Sequence, residues 1–200
     1  MIHPDTQIQF ISEAKGHGVV ATKLIPAGTI TWVQDRLDRK FTTEDFNSFD
    51  PIYQDILETY TFRDRHGDLV LCWDIGRFVN HSFKSNCLTT AYDFEIAIRD
   101  IQPGEELTDD YGYLNITEPF EAENEGTDRK VVYPDDLVHF YKVWDAKLRA
   151  VFHKIIQHDQ PLKKLIDTKI WRKVEDVASG EKKMDSILLN YYDQKSSVEN

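Results

Sequence analysis

The sequence predicts an α+β fold on three observations: short apolar alternations broken by Gly and Pro turns in its first half, a shift to polar composition after Glu118, and helical apolar spacing beyond that. A chain of 200 residues with 40% hydrophobic and 12% aromatic content is large enough to bury its own core. Cys72 and Cys87 are too few and too far apart for a disulfide framework or a thiolate zinc cluster, so an intracellular, cytoplasmic setting is expected, or a nuclear one in a eukaryote.

Residues 7–12 place Ile8 and Phe10 on one face of a strand, Val19 and Ala21 follow the Gly16, His17, Gly18 turn, and Ile30 and Trp32 follow Pro26, Ala27, Gly28. Residues 42–60 differ: Thr42 and Thr43 precede acidic residues as at a helix start, and Pro51 leads into Ile52, Ile56 and Leu57 at helical spacing. They are expected to form a partly helical insert. Strands are expected again at residues 69–73, 88–92 and 95–98, and at 106–108 after the Gln102, Pro103, Gly104 turn. Residues 121–130 read as a linker or loop. Pro134 then opens a long amphipathic helix whose stripe runs through Leu137, Phe140, Tyr141, Trp144, Leu148, Val151, Phe152 and Ile155. Shorter helices are expected from Pro161, around Trp171 to Val177 and around Met184 to Leu188, before a disordered tail from Gln194.

No stretch reaches the roughly 18 to 20 apolar residues that cross a bilayer, and residues 1–10 have no signal-peptide pattern, so a soluble protein without a membrane role is expected. The net charge of −11 argues against direct nucleic-acid binding and favours basic proteins or peptides as partners, unless it serves solubility alone.

Three motifs carry chemistry. Gly16, His17 and Gly18 alone mark a turn, and they lack the strand, helix and downstream acid of a dinucleotide site. Arg77, Phe78, Val79, Asn80, His81 and Ser82 form an unusual run in which a buried Asn and His commonly satisfy crowded backbone. The third run, Glu105, Glu106, Leu107, Thr108, Asp109, Asp110, Tyr111, Gly112, ends an acidic strand with an aromatic turn.

In their order and spacing these motifs resemble the SET-domain protein lysine methyltransferases, over roughly residues 7–116. The resemblance implies a β-clip of short strands with a pseudoknot, in which the segments around Asn80 and Tyr111 thread each other, followed by a helical C-terminal extension. It divides the chain into a SET domain at 1–118, with the insert at about 42–60, and a linker and helical, post-SET-like region at 119–200. S-adenosyl-L-methionine is the implied cofactor and S-adenosyl-L-homocysteine the product. Carried over by position, the backbone of Gly16, His17 and Gly18 would approach the methionine part, Arg77 would lie near the cofactor, Asn80 would hold its amino-acid end, and the His81 backbone would meet the adenine. Tyr111 matches the catalytic tyrosine, beside cofactor and substrate alike, and no metal is implied.

Asp109 stands where the family usually has an aromatic or apolar residue. It either faces the substrate channel or faces solvent, and its charge favours solvent. Phe83 and Ser85 replace a common cysteine and proline, and the Cys-x-Cys cluster of zinc-binding members is absent after Gly112. A closing wall is therefore expected from Tyr113 and from Trp144 or Tyr141, unless these simply pack the helix. The implied reaction is methyl transfer to a protein lysine, on a histone or another basic protein. The alternative is a non-catalytic SET-like module that binds a basic peptide or protein.

Overall fold

The structure, a computed structural model, describes residues 1–193, so the tail predicted from Gln194 lies outside the described residues. Strands β1 (Thr6–Ser12) and β2 (Gly16–Ala21) form an antiparallel hairpin with a bulge between Phe10 and Ser12, and Gly16 supplies the positive φ (70°) that closes its turn. After β3 (Ile30–Val33) and β4 (Arg39–Phe41) the insert forms helices α1 (Thr43–Ser48) and α2 (Pro51–Tyr60). The expected helix start is a reciprocal cap, with Asp45 N donating to Thr42 Oγ1 at 3.1 Å and Thr42 N to Asp45 Oδ2 at 2.8 Å. Along α2 only Leu57 is buried, while Ile52, Tyr53 and Ile56 face outward.

Strands β5 (Thr61–Arg63) and β6 (Leu69–Leu71) join β4 in one small sheet of order β4-β6-β5. The chain then forms β7 (Asn80–His81), β8 (Cys87–Thr89), β9 (Phe94–Ala97) and β10 (Glu106–Asp109). A second sheet has the order β3-β9-β8, and a third has the order β1-β2-β10-β7. In the third, β10 pairs antiparallel with β2 through Leu107 and Val19, and parallel with β7 through Thr108 and Asn80 and through Asp109 and His81.

The segment expected to be a linker contains a hairpin, β11 (Phe120–Glu121) with β12 (Val131–Val132), strands too short for any periodic signal. Helix α3 (Asp136–Val151) follows and continues as a 3₁₀ segment through Gln157. The stretch after Pro161 makes a single 3₁₀ turn instead of the expected helix, because Asp167 accepts from Lys169 N at 2.8 Å and starts α4 (Thr168–Ala178) almost at once. Around Met184 the expected helix is likewise reduced to one 3₁₀ turn, Ile187–Asn190.

Ile30, Leu88, Phe94 and Ile96 of the second sheet share a core with Leu148 and Ile155 of the long helix and Val174 of α4. One buried amide ties these parts together. Gln160 Oε1 accepts from Ile30 N at 2.8 Å, and Nε2 donates to the carbonyls of Gly28 and Ile155 at 2.9 Å each. Gly28 permits the close approach, since a Cβ there would lie 2.5 Å from Lys154 Cβ. Replacing Gln160 by Ala leaves three buried backbone groups unpartnered, so Gln160→Ala is expected to lower unfolding free energy by about 2 to 5 kcal/mol in denaturant titration. A loss below about 1 kcal/mol contradicts this role for Gln160.

Candidate active site

Strand β10 is held in place by a side chain acting as a strand edge. Asn86 accepts from Thr108 N at 2.9 Å and donates to Glu106 O at 2.7 Å. Asp109 O then accepts from Ser82 N at 2.8 Å, which continues the contact with β7. Immediately after β10 the chain turns through a 3₁₀ segment, Tyr111–Tyr113, capped by Asp110 Oδ1, which accepts from Gly112 N at 3.1 Å. Gly112 is required there: a Cβ would meet Arg129 Nη2 at 2.7 Å and Asp136 Cβ at 2.9 Å.

This turn delivers Tyr111 to the β7 segment. Its backbone N donates to His81 Nδ1 at 3.1 Å and its hydroxyl donates to Val79 O at 2.7 Å. Burial pushes that hydroxyl well above the ordinary tyrosine range, so it remains a phenol. Accepting through Nδ1 makes His81 Nε2 the protonated nitrogen, and Nε2 is buried without a partner among the described residues. The ring lies edge-on to Phe83, Tyr111 and Phe120, with centroids at 4.6, 5.4 and 5.5 Å, and burial lowers its basicity.

On the opposite side of β7, Asn80 Nδ2 donates to His17 O at 3.1 Å and to Glu106 Oε1 at 2.7 Å. Gly18 makes room for this: a Cβ would fall 2.9 Å from Asn80 Nδ2 and 2.4 Å from Glu106 Oε1. Gly16, His17, Gly18, Asn80, His81 and Tyr111 are thus brought together around β7 and the start of β2. Arg77 sits in the preceding 3₁₀ turn, donates to Trp73 O at 3.2 Å and stands on the rim of a cavity of about 570 Å³.

That cavity is lined by Tyr60, Phe62, Val79, Glu95, Asp109 and Tyr111 among others. Here Asp109 departs from its expected solvent position: it is 4% exposed, because both faces of β10 are covered. Its carboxyl is hydrogen-bonded to that of Glu95, itself 8% exposed, and accepts from the Tyr113 hydroxyl at 2.8 Å. Burial pushes Asp109 up to about 6 and raises Glu95 well above its ordinary value. Tyr113, expected in the channel, stands behind Asp109 instead, fully buried and edge-on to Trp144 at 5.3 Å. Trp144 packs in the core. The aromatic on the cavity wall from this part of the chain is Phe120.

Arg129, in the loop just before β12 of the β11–β12 hairpin, bridges the buried carboxylates of Asp110 and Asp136. Its guanidinium lies 4.5 Å from the Phe83 ring centroid and 4.6 Å from that of Phe140. Glu125, from the same hairpin, accepts from Phe83 N at 2.8 Å. These contacts hold Phe120 beside His81. Sequence spacing points to none of them, since the partners come from four separate segments. Glu95 does leave a trace, an acid flanked by Phe94 and Ile96 inside a strand.

Residues 16–112 match the family described as SET domain. A curated relative, Histone-lysine N-methyltransferase Set2 of Drosophila melanogaster, is 31% identical over 117 residues, which is 52% of this chain. The chain spans 5% of that relative's length.

Removing Arg129 leaves two buried carboxylates without a cation. Arg129→Ala is expected to cost about 3 to 5 kcal/mol in denaturant titration, with Arg129→Lys intermediate. A cost below about 1 kcal/mol for Arg129→Ala contradicts the bridging role.

Proposed function

Residues 16–112 are a SET domain and the chain belongs to the SET-domain lysine methyltransferase family; from that premise we propose that it transfers a methyl group from S-adenosyl-L-methionine to a lysine side chain of a basic protein. The observation that supports the reading best is the β7–β10 pairing, which sets Asn80 and His81 beside Tyr111, itself on the wall of a cavity of about 570 Å³. The donor set suits the cofactor. His81 Nε2 is a buried donor without a partner among the described residues, flanked by flat apolar rings, as a purine requires, and the Asn80 amide with the Gly16–Gly18 backbone offers polar contacts for an amino-acid group.

S-adenosyl-L-methionine supplies, when bound, an electrophilic methyl on a sulfonium. The chain's own part is alignment and exclusion of water. Tyr60, Phe62, Val79 and Phe120 line the cavity with apolar surface that shields a lysine side chain and disfavours its charged form. Lysine needs that help, because presenting a neutral amine at pH 7 costs roughly 4 to 5 kcal/mol. Tyr111 does not take the proton: its hydroxyl is engaged with Val79 O and held neutral by burial. Its role is to fix the cavity's edge and the approach of the amine.

The net charge of −11 favours a basic acceptor, and the name of the Drosophila relative makes core histones the first acceptor to try. In calorimetry the protein should bind S-adenosyl-L-methionine, and mass spectrometry should find methyl groups on histone lysines. Tyr111→Phe should lower turnover at least about 100-fold with cofactor affinity changed less than about threefold. Full activity in that variant sinks the Tyr111 assignment, and cofactor binding with no transfer to any protein acceptor favours a non-catalytic binding module.

A further inference from the structure

The Glu95–Asp109 pair has no counterpart to Arg129. Among the described residues neither carboxyl has a Lys, Arg or His within salt-bridge distance, although both line the cavity and both are more than nine-tenths buried. The groups around them are the Tyr113 hydroxyl, the Tyr111 phenol, the thiols of Cys72 and Cys87, and the carboxylate of Asp110, with the Met1 amino group as a more distant cation. A donor on the same wall lacks a partner among the described residues: Trp32 Nε1, on a residue 6% exposed. Trp32 is the cross-strand neighbour of Glu95 in the β3–β9 ladder, so the two side chains share a face. The cavity wall therefore carries an anionic pair without a cation and an indole N–H without an acceptor, which together suit a cationic group entering with a polar atom or water of its own.

The geometry points to the Glu95–Asp109 pair as the site that receives the ammonium end of the substrate lysine and accepts its proton. This rests on the methyl-transfer reading above. In the step, an N–H bond of the ammonium breaks, its electron pair stays on nitrogen as the lone pair, and the proton passes to the Asp109 carboxylate, which becomes a carboxylic acid. Glu95, protonated by its burial, donates to Asp109 and keeps the pair at a single negative charge. Water takes the proton from Asp109 after the product leaves. An ordinary carboxylate is too weak a base near neutral pH, whereas burial raises this one toward the working range. Asp109 in place of an aromatic residue thus turns the end of the site from a steric wall into a proton acceptor.

One test needs no turnover and no cofactor. The Trp32 indole N–H resonance is followed by NMR at pH 7.5 during titration with n-butylammonium chloride, with n-butanol as the neutral probe. The ammonium should bind at least about tenfold more tightly than the alcohol, and the near-isosteric Asp109→Asn should erase that preference, since a favourable ion contact in a buried site is lost. Equal binding of both probes to the unaltered protein overturns the proposal, and it does so whether or not methyl transfer is found.

The second readout is the pH profile of transfer to core histones. A base is active only as the anion, so the rate should fall below a break near pH 6, the value to which Asp109 is raised. Glu95→Leu removes the donor that helps hold Asp109 ionised and should move the break up by about one unit, whereas Glu95→Gln keeps a donor and should leave it in place. A break that does not move in Glu95→Leu overturns the proton-acceptor role. Butylammonium preference without any methyl transfer would support the cation site and refute the function on which it rests, so the two failures are distinguishable. Thermal melting of each variant reports folding, and the titration of the unaltered protein decides the cation site even if a variant fails to fold.

Discussion

Two residue pairs of parallel strand, Asn80 with Thr108 and His81 with Asp109, position everything else around the candidate active site. Parallel pairing requires the chain to leave β7, build β8 and β9 and return in the same direction, so segments far apart in sequence must close on one another. Once they do, the residues on either side have little freedom. Asn80 turns toward the β2 turn and bonds to His17 O, while the Tyr111 backbone turns back onto the His81 imidazole. The ladder is too short to be stable alone. It is held by Asn86, which supplies side-chain hydrogen bonds to Glu106 and Thr108, and by Ser82, whose N–H extends the pairing to Asp109.

Around this crossing the protein buries two sets of carboxyl groups and treats them differently. Asp110 and Asp136 are neutralised by Arg129, whose guanidinium also lies close to Phe83 and Phe140, so that set is a structural fastening for the β11–β12 hairpin. Among the described residues, Asp109 and Glu95 are stabilised by each other and by the Tyr113 hydroxyl without a paired cation, and they remain on the wall of the cavity. Burying acids without a cation is costly, which is why both are pushed toward their protonated forms. Such a cost is tolerated most readily where a ligand makes use of it. Neighbouring residues of one strand end, Asp109 and Asp110, thus face the cavity and the Arg129 bridge respectively.

Much of this was legible in the sequence where local rules govern. The Thr42 cap, the turn at Gly16 and the apolar stripe of α3 follow from backbone and packing preferences within a few residues. The three motifs also identify the residues that meet at the crossing, through their resemblance to a family. What was not legible depends on long-range placement. Alternation fails on β10, where Leu107, Thr108 and Asp109 are all buried, so the charge of Asp109 misleads about its exposure. Tyr113 follows Tyr111 too closely to share its direction within one 3₁₀ turn, and it packs behind Asp109 instead of lining the channel. Arg129 finds its partners across three other segments, and the two-residue strands β11 and β12 are too short to show a period.

In the proposed function the β2 turn and the β7–β10 crossing form one cofactor site. Backbone amide exchange with and without saturating S-adenosyl-L-homocysteine tests it most directly. The account predicts added protection together at Gly16–Gly18, Asn80–His81 and Tyr111, with the α4 helix unchanged. Protection confined to other segments, or none at all under saturating ligand, would contradict it.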